Sequence, residues 1–490
     1  MERVTPQNFL NNATAILAKQ GVSLYDPYQP EGVRWMIKRE LFCKKIKGGF
    51  LCDEMGLGKT IQFISLILAN RVSNTLLVLP SNLIHQWKSE IKRFAGNEIE
   101  VITHHGDTRL TDPSQINSTG CRIIMTSYGM MALYPYSVLH QIKWDRVILE
   151  ECHLVRNPKS KSSRSVCRLK STYRWGITGT PIHNSIKDLI ALCRFIGLDK
   201  NCVMSYKNSI VDKLILRRTK LDVEKFNEKL KLPSKEILVE HIPHTSKKEK
   251  LFYHKIKGDV NKKMNILSQF NFNMVHWLEL VLRLKQAAIL PQLVIDGYNK
   301  KEWGKTYEDW DGTNTKLDYI IRCVSKYNEE RPVIFTQFNY EMNYIYQELT
   351  KLGINTKRIH GGISFSERND IVSQSRSICD SNDPNYIQCL IVQIEAGGTG
   401  LNLQMFDTVW FSTITWNPAV EMQAIARVHR IGQTKPVKIR KVVIQDTIEE
   451  RILNIQDQKT QIMIDILKDP RIRCKTKQRL TIGNIRSMLA

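Results

Sequence analysis

Residues 48–60 read GGFLCDEMGLGKT, and their interpretation decides the fold. The apolar run ends in a glycine-rich turn, and IQFISLILAN follows at once with the pattern of a buried helix. Strand, glycine loop and helix start in that order form a cradle for a phosphate chain. Such a cradle needs inward N–H groups, a lysine for the β/γ-phosphates and a hydroxyl for a magnesium ion. Lys59 and Thr60 have the last two chemistries, and Gly56 and Gly58 supply the turn. The full G-x-x-x-x-G-K-[ST] pattern would place glycine at 53, where this chain has Asp53. An ordinary strand-to-helix turn is the competing interpretation.

Working outward, short apolar runs alternate with helical patterns as far as Phe195. TLLVLP predicts a strand, with a turn at Pro80-Ser81 and then a helix carrying Leu83, Ile84, Trp87 and Ile91. EIEVITHH, CRIIMTSY, WDRVILEE and YRWGITGTP predict further short buried strands. The same rhythm returns in RPVIFTQF, NTKRIHGG, IQCLIVQIEAGGTG, DTVWFSTI and VKIRKVVI. Alternation of this kind predicts two α/β lobes built on parallel sheets. Between Thr180 and Val333 the chain is charged, lysine-rich and helix-favouring, which predicts helical insertions and the crossing between lobes. Tyr298–Thr315 predicts an exposed loop, and the stretch after Thr447 predicts a helix with a basic end.

The composition narrows the function classes. Of 490 residues, 42% are hydrophobic and 24% charged, the balance of a folded globular chain. The net charge of +24 points to a polyanionic partner, nucleic acid before a membrane surface. No run approaches the roughly 18 apolar residues of a spanning helix, and the N-terminal segment lacks the apolar core of a signal peptide. The 11 cysteines show neither C-x-x-C nor zinc-site spacing, so scattered reduced thiols are expected.

Two further elements carry chemistry. Val147–Glu151 is an apolar strand ending in paired carboxylates, the form of a Walker-B strand. Glu150 is assigned to the metal and Glu151 to the general base; two surface acids at a strand end are the alternative. Gln423–Arg430 places Arg427 and Arg430 three apart, on one face if helical, where they suit the charge of a transferring phosphoryl group. A plain basic helix face is the alternative.

Together these segments resemble the Swi/Snf family of superfamily-two helicase-like ATPases, in order from about Leu24 to Leu453. LYDPYQPEGVRW is similar to the family's N-terminal element, in which Gln29 would read adenine. DEMGLGKT is similar to the family's own P-loop, aspartate included, so Asp53, Glu54, Met55, Gly56, Leu57, Gly58, Lys59 and Thr60 become candidate nucleotide-binding residues. Ile177–Asn184 (ITGTPIHN) resembles the motif that couples ATP to nucleic acid. LRRTK at Leu216–Lys220, Leu232-Pro233, VIFTQF, EAGGTGLNL and TWNPAVEMQAIARVHRIGQTKPV resemble the remaining landmarks, with Gln423 as a further nucleotide contact. Compact viral members share the similar length and the LEECH string. The chain departs from the family at Glu150, Thr415 and Ala426, where aspartate is usual.

The resemblance implies two RecA-like lobes with helical insertions between them, ATP and Mg²⁺ as cofactors, and movement along double-stranded DNA in a nuclear setting. It implies residues 24–200 as the ATP-binding lobe, 201–315 as insertions and linker, and 316–465 as the second lobe. Residues 1–23 are an N-terminal extension and 466–490 a basic tail. Nucleosomes or RNA polymerase are the candidate protein partners, with no membrane role. Ser81, Thr126, Ser127, Gly397 and Gly398, at strand ends, are the candidate DNA-phosphate contacts. Trp87 and Trp416 suit core packing better than base stacking, since Trp87 keeps helical spacing with Ile84 and Ile91. The alternatives are a non-catalytic DNA- or polymerase-binding scaffold and a true unwinding helicase.

Overall fold

The computed structural model describes residues 5–116, 120–182, 185–226, 231–267, 274–299, 308–326, 330–397 and 401–467. The chain divides into two compact units. Of the described residues, unit 1 takes those up to 231 together with 462–467, and unit 2 takes those from 232 to 461.

Unit 1 carries strands β1 (Gly48–Leu51), β2 (Asn74–Leu79), β3 (Glu100–His104), β4 (Arg122–Ser127), β5 (Lys143–Glu150), β6 (Lys170–Ile177) and β7 (Ile215–Leu216). They form one parallel sheet in the order β3-β4-β2-β5-β6-β1-β7. Alternate side chains enter different cores. Phe50, Leu76, Val78, Val147 and Leu149 join one cluster, while Leu51, Leu77, Leu79, Ile148 and Ile177 join another. A sheet buried on both faces needs unbroken apolar strands, and this is why these segments read as apolar runs. β3 departs from the buried strand expected: it is the sheet edge, and only His104 is fully covered.

Unit 2 carries β8 (Lys235–Ile242), β9 (Pro332–Thr336), β10 (Thr356–Ile359), β11 (Cys389–Gln393), β12 (Thr408–Phe411) and β13 (Val437–Ile444). Their order is β10-β11-β9-β12-β13-β8, again all parallel. Here too alternate residues part: Val333 and Phe335 enter one core, Ile334 and Trp410 the other.

The lysine-rich middle, expected as helical insertions and linker over 201–315, is shared between the two units. Residues up to Lys231 cluster with unit 1 because β7 extends its sheet, and residues from Leu232 cluster with unit 2 because β8 extends the other. Helices Lys247–Leu267, Met274–Ile289 and Pro291–Asn299 follow, and Tyr253, Leu284 and Val294 pack into the unit 2 core. The last described helix, Ile448–Leu467, lies where the sequence places it, and the basic tail beyond falls outside the described residues. The described part of the expected loop at 298–315 ends in the helix Thr315–Lys326. Among the described residues every cysteine is a free thiol. No described helix is long and apolar enough to cross a membrane.

Candidate functional site

The site begins with strand register. Leu51 of β1 and Glu150 of β5 both pair with Ile177 of β6, the strand between them. Three loops therefore leave the same edge of the sheet side by side: 52–58, the loop after Glu150, and the loop after Ile177. Carboxyl ends of parallel strands are where open α/β sheets bind ligands.

The first loop turns through Gly56 (φ 90°) and Gly58 (φ 73°), both left-handed, and enters the helix Lys59–Ala69. Gly58 is required twice over, because a Cβ there would also stand 2.5 Å from Gln29 Nε2. Lys59 and Thr60 are the first two residues of that helix, whose opening N–H groups face the loop. Lys59 Nζ donates to the carbonyls of Asp53 (2.8 Å) and Glu54 (3.3 Å).

The other loop residues hold the cradle in shape. Leu57 is buried, and its carbonyl accepts from Tyr28 Oη (3.0 Å) and Gln29 Nε2 (3.2 Å). Gln29 is itself buried, with its Oε1 accepting from the Tyr25 amide (2.8 Å). Glu54 accepts from the Lys220 amide (2.9 Å), and Met55 packs against Gly179. Asp53, among the candidate nucleotide-binding residues, turns its side chain inward. Its carboxylate is fully buried and taken by Arg218 and Gln62, so it anchors the loop from within.

Glu151 leaves β5 with φ 51° and ψ 50°, a left-handed conformation costing a non-glycine residue of order 1 kcal/mol. Its Oε2 accepts from Thr178 Oγ1 (3.2 Å) and lies 3.2 Å from His153 Nδ1. His153 Nδ1 is in turn 3.0 Å from Thr178 Oγ1, which also accepts from the Thr180 amide (3.2 Å). The turn thus aims Glu151 at the ITGT loop, and His153 locks it there. The sequence reading missed His153 as a functional residue; the signal was its place two residues after the second acid. Tyr128 Oη donates to the Glu150 carbonyl (2.8 Å), fixing the strand end. Burial holds the neighbouring Cys52 thiol up at about 12, so this cysteine is an apolar filler, not a nucleophile.

In unit 2, Gln423 and Arg427 lie on the helix Pro418–Val428, both half-buried. The expectation that Arg427 and Arg430 share a helix face is corrected. The helix ends at Val428, and Arg430 sits in the following turn, its amide bonded to the Val428 carbonyl (3.2 Å). Thr415 supports this helix. Its amide and hydroxyl donate to Glu421 Oε1 (2.7 and 3.0 Å), and Lys441 pairs with Glu421 Oε2 (2.6 Å). Ala426 is half-buried.

Comparison with known proteins shows the family. The family described as "SNF2-related domain" matches residues 28–293, and "Helicase conserved C-terminal domain" matches residues 315–432. The chain belongs to the SNF2-related family of helicase-like ATPases. Transcription termination factor 2 of Drosophila melanogaster is 25% identical across 94% of this chain and 58% of its own. An ATP-dependent helicase of Mycoplasma genitalium is 29% identical across 89% and 41%. The mouse SWI/SNF-related matrix-associated actin-dependent regulator of chromatin, subfamily A member 1, is 28% identical across 91% and 44%. The chain spans about half the length of the curated relatives it matches. A Sulfolobus solfataricus SWI2/SNF2 ATPase core, solved with dsDNA, is 26% identical and covers 91% of this chain and 93% of its own. The TM-score of that match is 0.39.

The candidate DNA contacts of this SNF2-related chain separate into two groups. Ser81 is exposed and lines a cleft of about 380 Å³ with Asn82, His105, Ser127 and Tyr128. Thr126 is corrected: it lies inside β4 with its side chain fully buried and presents no hydroxyl at the surface. Ser127 borders the cleft, but its Oγ accepts from the Met130 amide (3.2 Å) and caps the next helix. Gly397 closes the short helix Ile394–Gly397, and Gly398 lies outside the described residues, as do His183 and Asn184. Trp87 is buried, and Trp416 is half-buried and packs on the unit 2 core, as the preference for core packing expects.

Proposed function

We propose that this chain hydrolyses ATP at the carboxyl edge of the unit 1 sheet, is stimulated by duplex DNA and uses the hydrolysis to move along it. The observation that carries the reading is the register joining Leu51, Glu150 and Ile177, which sets Lys59, the acid pair and Thr178 at one sheet edge.

The residues present fit magnesium-ATP. A left-handed glycine turn, a helix N-terminus and a lysine suit a triphosphate, and a hydroxyl and a strand-end carboxylate suit a hard cation. Bound magnesium-ATP supplies the reactive phosphoanhydride and a divalent ion to offset its charge. Lys59 is assigned to the β/γ-phosphate oxygens, Thr60 and Glu150 to the metal, and Gln29 and Gln423 to nucleotide contacts. Glu151 takes the proton of the attacking water, and Thr178 and His153 hold its carboxylate in place. Arg427 and Arg430 are assigned to the charge on the transferring phosphoryl group. Glutamate at 150 keeps the charge of the usual aspartate on a longer arm.

Residues 24–200 act in this reading as the ATP-binding part and 316–465 as the helicase C-terminal part. Ser81, at the mouth of the unit 1 cleft, is the favoured phosphate contact, with the Gly397 amide as a second. The charge of +24 supports a nucleic-acid track. The names of the termination factor and the chromatin regulator support a nuclear role in transcription or chromatin, with nucleosomes or RNA polymerase as partners. A compact baculovirus transactivator type, working in a host nucleus, is the narrower proposal, and the LEECH string supports it.

The test is ATP turnover alone and with duplex DNA, single-stranded DNA and RNA, with Lys59→Ala as control. Turnover raised most by duplex supports the translocase. Preference for single strands or RNA points to unwinding, and no turnover with intact DNA binding points to a scaffold.

A further inference from the structure

Asp53 stands where the general phosphate-loop pattern has glycine, so an acid sits in the loop meant to receive anions. The fold answers this with one residue. Arg218 Nε donates to Asp53 Oδ1 (3.0 Å), its Nη2 pairs with Oδ2, and its backbone amide adds a bond to Oδ1 (3.1 Å). Two parallel N–H···O bonds are the strong, side-on form of an arginine–carboxylate pair. The same guanidinium donates to Gln62 Oε1 (2.8 Å) and to the Tyr28 carbonyl, and lies over the Tyr28 ring.

The neighbouring main chain is stitched in the same place. Cys52 N donates to Leu216 O (2.7 Å), Glu54 N to Arg218 O (2.8 Å) and Lys220 N to Glu54 Oε2 (2.9 Å). Three successive loop residues are therefore held by residues 216, 218 and 220. Room for the clamp comes from Gly32, where a Cβ would stand 2.7 Å from Arg218 Nη2 and 2.1 Å from Gln62 Oε1. Arg218 holds Asp53, and the Asp53 carbonyl holds Lys59 Nζ.

We infer that Arg218 is a positioning residue for nucleotide binding. It cancels the charge of Asp53 and fixes the loop, so the chain segment just before unit 2 sets the loop's affinity for phosphates. The inference rests on the nucleotide site proposed above. An uncompensated Asp53 would both repel the phosphates and release the carbonyl that steadies Lys59.

The test compares equilibrium binding of magnesium-ATP and magnesium-ADP, the KM and kcat for ATP, and thermal stability in the full chain. Arg218→Met should weaken nucleotide binding by about 10- to 100-fold, the size of a lost charge-assisted bond, with KM rising by more than kcat falls. Arg218→Lys keeps the charge but not the fork and should fall between. The decisive variant is Asp53→Gly with Arg218→Met. It removes both charges, leaves a carbonyl at 53 for Lys59, and should restore affinity to within about threefold, since no unpaired charge remains. Wild-type affinity in Arg218→Met overturns the inference. So does a double variant that regains stability but not affinity, which also decides the matter if Arg218→Met alone fails to fold. Lys59→Ala separates the two levels. If it binds nucleotide like wild type, the site itself is misplaced; if it loses binding while Arg218→Met does not, only the role of Arg218 falls.

Discussion

Lys59 spends its ammonium on two carbonyls of the loop it closes, so its removal leaves no buried charge behind. Lys59→Ala should keep the fold, with a melting temperature within a few degrees of wild type. Its ATP turnover should fall by at least about 100-fold, the scale of one lost preorganised charge; wild-type turnover in the folded variant sinks the assignment. Glu151 and Glu150 separate by isosteric change. Glu151→Gln should bind ATP and hydrolyse it very slowly, while Glu150→Gln should raise the magnesium concentration needed for half-maximal turnover. The reverse pattern exchanges their roles. His153→Ala frees the Glu151 carboxylate and should lower kcat by about tenfold, a fraction of the roughly 10²–10⁴-fold that a general base contributes, with nucleotide affinity unchanged. The lysine, the threonine and the acid pair were legible because each chemistry lies in one short string. Arg218 and His153 were not, because their partners lie 165 and 25 positions away and only sheet register brings them together.

At the scale of elements, most strands were legible because a doubly covered parallel sheet demands apolar runs. β8 was not. KEILVEHI carries three charged side chains and sits in a lysine-rich stretch, yet eight of its residues pair in register with β13. It is an edge strand, Ile237 is half exposed, and charge there guards against pairing with other chains. The end of the helix at Val428 was equally hidden, because Val428-His429-Arg430 contains no glycine or proline to mark it. The helix Met274–Ile289 supports a further prediction. It drives Lys285 into the unit 2 core, where Nζ donates to Gln337 Oε1 (2.6 Å) and where Glu449, Glu341, Glu421 and Lys316 are the charged neighbours. Burial lowers this lysine to about 8, from an ordinary 10.5. Between those values the unfolded chain binds the proton more readily than the fold does, so this group's contribution to stability rises with pH across that window. Below it, the fold bears the full penalty of a buried ammonium. The denaturation midpoint of wild type should therefore gain on that of Lys285→Met between pH 8 and 10; a constant gap means that Lys285 does not change charge inside the core.

For the whole molecule the deciding quantity is charge. Internal pairs such as Arg146–Glu40, Lys316–Glu449 and Lys441–Glu421 each remove one charge of either sign from the surface. Among the described residues, exposed lysines such as Lys44, Lys45 and Lys213 carry part of the surplus of +24. A protein that tracks a phosphate backbone should use that surplus without regard to base sequence, because phosphates recur at every step and carry no code. Each phosphate neutralised on duplex DNA adds about −0.9 to the slope of log affinity against log salt. Five to eight contacts predict a slope of about −5 to −7, and about a hundredfold or greater loss of affinity between 100 and 250 mM salt. The measurement is fluorescence anisotropy with a labelled duplex of mixed sequence and a second of unrelated sequence, over a salt series. Both duplexes should give the same slope and nearly the same affinity. Anionic lipid vesicles form the competing surface for so basic a chain, and they should displace the duplex only weakly if Ser81 and the cleft beside it supply shaped contacts as well as charge. A slope shallower than about −2, or strong preference for one duplex, sinks the backbone-tracking reading. Equal competition by vesicles would mean that the surplus is a general anionic attraction and that the cleft takes no part in holding DNA.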